Sequence, residues 1–394
     1  MKKQTQAIHL EYERRDAYDS LSVPVYNTLA YEFDNAAVMA EAFTDKIKAP
    51  DYSRVENPTV TNLERRVAAL TDAAHATAFN SGMAAISNTL MALAAQGKNI
   101  VTSKHLFGNT YALLVATLRR FGVKVRLRDL TNIEAVREAI DDDTCCVFLE
   151  ILTNPQLEVA DLKAISEVAH EKNVPLVVDS TVIPFTQFSA KSLGVDIEVV
   201  SSSKYVSGGA TSLGGLVIDY GTPYNGDFAK RLYGEMLFNF GAYMTPQVAY
   251  MQTIGLETLD ARYRVQSGNA LELAQKLRTL PQIQYVNYVG LEDNPYHELA
   301  QRQFGKTAGA MICIDLESKE ACFSFLNNLK LIHRATNLFD NRSLAIHPAS
   351  TIFGAFSESM RKSMDVKDTT IRLSIGLEDV DDLFEDIKQA VDSL

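Results

Sequence analysis

The sequence predicts an α/β protein: a mainly parallel sheet covered by helices on both faces, followed by a smaller C-terminal α+β domain. Three observations predict it. Between residues 60 and 218 short apolar runs alternate with stretches of helical period. The runs are apolar at consecutive rather than alternate positions, as in strands buried on both faces. After residue 245 the alternation gives way to one long helical stretch and scattered short strands.

In chain order, residues 1–59 lack a sustained period. Ser22-Val23-Pro24-Val25-Tyr26 reads as extended and 36–43 as one short helix. A segment that cannot build its own core is expected to lie as an arm on another surface, in the same chain or a neighbouring subunit. The large domain, 60–245, opens with a helix over 63–70, apolar at Leu63, Val67 and Leu70, and a strand over 75–79. Helix 84–95, strand 100–102, helix 111–121, strand 123–127 and helix 133–140 follow. Strand 145–149, helix 162–170 and strands 176–178, 197–200 and 215–218 complete it. The small domain, 246–394, contains a helix over 266–280, strands 285–289 and 309–315, helix 319–329, strand 371–374 and helix 380–391.

The chain has 394 residues, with 38 Lys and Arg against 49 Asp and Glu, for a net charge of −11. With no basic run to reverse that sign, binding to nucleic acid is not expected. No apolar stretch approaches the roughly 18 residues needed to span a bilayer, and charged residues rather than an apolar run follow Met1-Lys2-Lys3-Gln4-Thr5-Gln6. A cytoplasmic protein without a membrane partner is expected. Cys145 and Cys146 are adjacent while Cys313 and Cys322 lie far off, which suits neither a disulfide framework nor zinc. Four buried thiols and no metal site are expected.

In such sheets ligands bind beyond the carboxyl ends of the strands, and there the sequence places Asn80-Ser81-Gly82-Met83, Asn154-Pro155, Asp179 and Ser201-Ser202-Ser203-Lys204. An Asp ending a buried strand is costly unless a cation neutralises it. The plainer reading is a buried Asp179–Lys204 ion pair, and such pairs are rarely needed for stability. Pyridoxal phosphate accounts for both residues: Asp179 keeps the pyridine nitrogen protonated and Lys204 forms the Schiff base. A phosphate site is also at hand, in the backbone N–H groups of Gly82 and Met83 at a helix N-terminus and the hydroxyls of Ser201 and Ser203. Gly208-Gly209 and Gly214-Gly215 match neither a phosphate loop nor a dinucleotide fingerprint, and read as a turn and close strand packing.

Taken with Tyr52-Ser53-Arg54, Asn57-Pro58-Thr59, Ser203-Lys204-Tyr205, Gly255-Leu256-Glu257-Thr258-Leu259 and Ile371-Arg372-Leu373-Ser374-Ile375-Gly376, these motifs span nearly the whole chain. In them it resembles the cystathionine gamma-synthase family of Cys/Met-metabolism enzymes, pyridoxal-phosphate proteins of the aspartate-aminotransferase-like fold (fold type I). The resemblance implies Lys204 as the catalytic lysine, Asp179 as partner of the ring nitrogen, and Gly82, Met83, Ser201 and Ser203 as the phosphate cradle. It implies Phe107 stacked on the ring, Asn154 bonded to the phenolic oxygen, and Arg372 as the clamp for the substrate carboxylate, which a guanidinium can grip with two parallel hydrogen bonds. It further implies that Tyr52, as a catalytic residue, and Arg54 complete a neighbouring subunit's site, so that the arm, 1–59, contacts that subunit in a homodimer and in a homotetramer of two dimers.

Within the family, Thr211-Ser212-Leu213-Gly214-Gly215 and Ala335-Thr336-Asn337-Leu338 resemble O-acetylhomoserine sulfhydrylases, and Asn337 stands where lyases usually carry serine. The expected reaction is γ-replacement on O-acetylhomoserine by sulfide, giving homocysteine and acetate for methionine biosynthesis, with Asn337, Asn154 and Arg372 holding substrate. The alternatives are a γ- or β-lyase, a cystathionine γ-synthase, and a non-catalytic pyridoxal-phosphate-binding protein. Phe107 replaces the family's usual tyrosine; a phenyl ring can stack but moves no proton, leaving that duty to Lys204, Tyr52 or water.

Overall fold

A computed structural model describes residues 1–10, 16–44, 46–306 and 308–394. Seven strands form the larger sheet: β1 (His75–Phe79), β2 (Asn99–Thr102), β3 (Lys124–Leu127), β4 (Thr144–Glu150), β5 (Leu176–Asp179), β6 (Ile197–Val200) and β7 (Gly215–Asp219). Their order is β1-β7-β6-β5-β4-β2-β3. Every neighbouring pair is parallel except the two that β7 makes, with β6 and β1, so β7 alone runs against the rest.

The consecutive apolar runs divide between two cores, as a residue period of two requires. Val147, Leu149, Val178, Leu216 and Ile218 enter one cluster, and Cys146, Phe148, Val177, Val199 and Val217 the other. The first cluster continues without a break into the C-terminal part, through Leu273, Ile312, Phe325, Leu373 and Ile387. There a five-stranded sheet has the order β10-β11-β12-β9-β8, with β8 (Tyr285–Asn287), β9 (Met311–Asp315), β10 (His333–Arg334), β11 (Leu344–Ile346) and β12 (Thr370–Ser374). β12 lies at its centre, antiparallel to β9 and β11, which fixes Arg372 opposite Cys313 and Ile346.

Several expectations change in detail. The helix over 111–121 is a short helix, Gly108–Ala112, continued by a π-helical turn over Leu113–Thr117 and a tight turn over Leu118–Phe121 that ends at Gly122, whose φ is +79°. The helix over 266–280 begins earlier, as Leu259–Leu277, directly after a second helix, Pro246–Glu257. Of the four thiols, Cys146, Cys313 and Cys322 are buried, whereas Cys145 is half-buried because strand alternation turns it away from Cys146.

In the arm, residues 11–15 and 45 lie outside the described residues. The short helix is present as Ala36–Ala42. A helix the sequence reading omits, Lys3–His9, docks on its own chain: Lys3 Nζ donates to the carbonyls of Phe185 (3.2 Å) and Phe188 (2.8 Å), and Arg66 donates to the Ala7 carbonyl at 2.6 Å.

Candidate active site

The carboxyl ends of β4, β5 and β6, the N-terminus of the helix Gly82–Leu93 and the β12 strand converge on one cavity of about 1020 Å³. Lys204, Asp179, Gly82, Met83, Ser201, Ser203, Phe107, Asn154, Asn337 and Arg372 all line it, so residues up to 290 positions apart meet in one place.

The helix Gly82–Leu93 is capped by Ser81, whose Oγ accepts from Ala84 N–H at 3.1 Å, while Ala85 N–H bonds the Ser81 carbonyl. Gly82 and Met83 occupy the first two helical positions, whose N–H groups have no intrahelical acceptor and favour an anion. A Cβ on Gly82 would lie 2.6 Å from Ser201 Oγ, so the Ser201 hydroxyl stands directly against this helix start. Ser203 lines the same cavity, but its hydroxyl donates to Gly214 O at 3.1 Å and accepts from Gly214 N–H at 2.9 Å, bracing the entry to β7. Gly214 and Gly215 are packing glycines, as the sequence suggested: Cβ atoms there would collide with Gln252 and with the Ser81 carbonyl.

Asp179 ends β5 beside β6, after which the chain reaches Lys204. The plain ion pair does not form. Asp179 accepts from Thr181 N–H at 2.9 Å, Thr181 Oγ1 accepts from Ser201 N–H at 2.8 Å, and Lys204 Nζ donates to Asn337 Oδ1 at 2.7 Å. Burial pushes the Asp179 carboxyl above the usual range. Burial first, and then the charge of Arg372, bring Lys204 down to about 8, where a useful fraction of the amine is neutral and nucleophilic near pH 7. The loop carrying Lys204 is held by its neighbour: the Tyr205 ring stacks on Phe339, 4.0 Å apart and 7° from parallel, and Arg262 Nη2 donates to the carbonyls of Tyr205 (2.8 Å) and Gly255 (2.7 Å).

Arg372 is 2% exposed. Its Nη1 donates to Asn154 Oδ1 at 3.1 Å and its Nη2 to the Asn337 carbonyl at 3.2 Å, while Nε, buried, has no partner among the described residues. Burial lowers the guanidinium to about 10, which leaves it charged near neutral pH. A buried cation with an unused donor suits a substrate carboxylate. Asn337 thus joins the two key cations, its side chain on Lys204 and its carbonyl on Arg372. These features, an anion-binding helix start, a carboxylate for a ring nitrogen, a lysine with lowered proton affinity and a wall at Phe107, fit pyridoxal phosphate.

Tyr52 and Arg54 do not line this cavity. Tyr52 is 40% exposed, and Arg54 Nη1 donates to the Phe238 carbonyl at 2.6 Å with its guanidinium over the Tyr52 ring. Sequence reasoning missed Glu150, at the end of β4, and the segment carrying Thr351, Ile352, Ala355 and Phe356, which walls the cavity from the C-terminal side. Glu150 carries the same signal as Asp179, an acid closing a buried strand; the wall segment has no periodic pattern to announce it.

A sequence profile for Cys/Met metabolism PLP-dependent enzymes matches residues 4–392. An L-methionine gamma-lyase of Fusobacterium nucleatum subsp. polymorphum is 37% identical over 99% of this chain and 98% of its own. An O-acetyl-L-homoserine sulfhydrylase of Corynebacterium glutamicum is 31% identical over 98% of this chain and 95% of its own. A crystal structure from Campylobacter jejuni subsp. jejuni, given provisionally as an O-acetylhomoserine (thiol)-lyase and holding pyridoxyl-lysine phosphate, superimposes with a TM-score of 0.95 at 34% identity, covering 100% of both chains. The fold is therefore fold type I, the cofactor pyridoxal 5'-phosphate, and the chain belongs to the family of Cys/Met metabolism PLP-dependent enzymes.

Proposed function

We propose that this protein catalyses γ-replacement on O-acetylhomoserine by sulfide, releasing acetate and forming homocysteine. The observation that carries the proposal is the Asn337 bridge: Lys204 Nζ at 2.7 Å from its Oδ1 and Arg372 Nη2 at 3.2 Å from its carbonyl place a base and a carboxylate clamp on one residue. An amino acid gripped by Arg372 then presents its Cα proton towards Lys204. Bound pyridoxal phosphate supplies the electron sink that stabilises negative charge developing on the substrate carbons. Lys204 Nζ holds one transferred proton at a time: it takes the Cα proton, hands it on, and only then takes a Cβ proton. Once the Cγ–O bond has broken to release acetate and the Cγ–S bond has formed, protons return to Cβ and then to Cα. Asn154 and Arg372 hold the substrate in register, and Phe107 would offer the cofactor an apolar wall that moves no proton. A cavity of about 1020 Å³ is at the upper end for small-molecule sites and leaves space for a second reactant.

Tyr52 and Arg54 reach a neighbouring subunit's site in this reading. The protein is then a homodimer with shared sites, assembled into a cytoplasmic homotetramer, and its divisions are the arm 1–59, the large domain 60–245 and the small domain 246–394. Among the described residues no helix is long and apolar enough to cross a membrane.

The second reading is γ-elimination from methionine, favoured by the 37% identity to an L-methionine gamma-lyase. A product profile decides between them. Homocysteine from O-acetylhomoserine plus sulfide supports replacement; α-ketobutyrate from methionine, with no homocysteine formed, overturns it.

A further inference from the structure

Glu150 is 7% exposed, lines the cavity, and stands in register with Asp179 across the β4–β5 pair. Its Oε1 accepts the Phe107 N–H at 2.5 Å, and its Oε2 the Asn154 N–H at 3.3 Å. Both donors belong to residues that line the same cavity, and both lie outside the strands, where no ladder fixes the backbone. We infer that Glu150 is a positioning residue of the cofactor site, which fixes the backbone at Phe107 and at Asn154, two parts of the cavity wall, through one carboxyl group set beside Asp179. Burial, and next the negative charge of Asp179, raise Glu150 to about 8. A carboxyl held there at that cost points to a geometric duty an apolar side chain could not perform. A glutamine of the same shape could accept only one of the two N–H groups and would aim its own N–H₂ at the other.

The inference rests on the cofactor site and not on which reaction is run there. Holoenzyme of the wild type, Glu150→Gln and Glu150→Ala is prepared, and two quantities are read: the circular dichroism induced in the cofactor's visible band per bound cofactor, and the affinity for pyridoxal phosphate by equilibrium dialysis. Leaving a buried N–H unsatisfied should weaken binding about five- to tenfold in Glu150→Gln and more than about tenfold in Glu150→Ala, with the induced signal reduced in both. Far-UV circular dichroism verifies folding, and if Glu150→Ala does not fold, the isosteric Glu150→Gln decides. A Glu150→Gln enzyme with the wild-type induced signal overturns the inference, whatever its affinity, because the ring would then be seated without the double acceptor. A wild type lacking the visible band would instead overturn the cofactor assignment.

Discussion

The Gly82→Ala substitution tests the phosphate cradle most directly. The added Cβ would lie 2.6 Å from Ser201 Cβ and Oγ and 2.9 Å from Ser201 Cα, so the obstacle includes backbone and a rotamer change cannot remove it. Ordinary contact begins at 3.4 Å, so the helix start and the segment after β6 must separate by up to 0.8 Å. Overpacking of this kind costs about 1–3 kcal/mol of stability. The same displacement lengthens hydrogen bonds from the Gly82 and Met83 N–H groups to a bound phosphate, and losing one charge-assisted bond is worth about 1.5–3 kcal/mol. Cofactor affinity should therefore fall about 10- to 100-fold, as read by equilibrium dialysis of the purified enzyme against graded pyridoxal phosphate, with thermal unfolding followed in parallel. Stability lowered as expected but affinity within twofold of wild type would refute the placement of the phosphate at this helix start. Unchanged stability would show that the two segments part freely and refute the steric argument.

Arg372→Lys should raise the KM for the amino-acid substrate about 10- to 100-fold while changing kcat less, since an ammonium cannot reproduce the fork held between Asn154, Asn337 and the carboxylate; steady-state kinetics with an unchanged KM would remove the clamp. Capture of added cofactor by the cofactor-free protein should accelerate with pH and level off above about 8, where Lys204 loses its proton, and Arg372→Leu should move that midpoint upward because the neighbouring positive charge is gone; stopped-flow absorbance at a series of pH values reads both. His105 bridges Glu158 (3.1 Å) and Asp365 (2.7 Å), and although burial alone would lower its pKa, the two carboxylates raise it overall. A raised folded-state value means that the bridge stabilises fully below the ordinary histidine pKa and is lost as pH rises through the folded one, so His105→Gln should lower Tm by about 2 °C at pH 6 and by less at pH 9, and an equal loss at both would refute the ionic bridge.

The large sheet was legible because its central strands, β2 and β4 to β7, are short and mostly buried; Leu176-Val177-Val178 feeds the two cores alternately, as a doubly covered strand must. Lys204 and Asp179 were legible because charged residues beyond buried strand ends demand a reason, and Gly82 because it follows a capping serine at a helix start. Glu150 satisfied the same criterion and went unused, since no motif drew attention to it. The wall at Thr351–Phe356 was not legible, for its closeness to Gly108 is a tertiary fact: a Cβ on Gly108 would lie 2.7 Å from the Ile352 carbonyl, and nothing local to either segment encodes that approach. The same holds for β11, three residues long, which exists because β12 pairs with it.

The acidic strand ends also show how the chain divides its own charge from what it leaves to a ligand. Glu150, Asp179 and Glu198 stand on adjacent strands, and burial raises the carboxyl of each. Glu198 is 0% exposed, yet the protein answers it: Ser180 and Tyr220 donate to its two oxygens, Tyr220 at 2.6 Å, and the ammonium of Lys3, brought in on the helix Lys3–His9, favours its charge. Asp179 is answered from its own segment by Thr181, whose N–H donates to it at 2.9 Å and whose side chain also favours its charge, and no ion pair reaches it among the described residues. A carboxylate left so weakly compensated at a cavity wall destabilises the folded chain above the ordinary aspartate pKa. In the proposed reading a cationic ring nitrogen placed against Asp179 would relieve that cost, so the residue that weakens the empty protein would also be the one that selects a protonated heterocycle. Within a chain of net charge −11, the proposed site would accordingly depend less on an excess of positive groups than on one negative group left without an ion pair among the described residues.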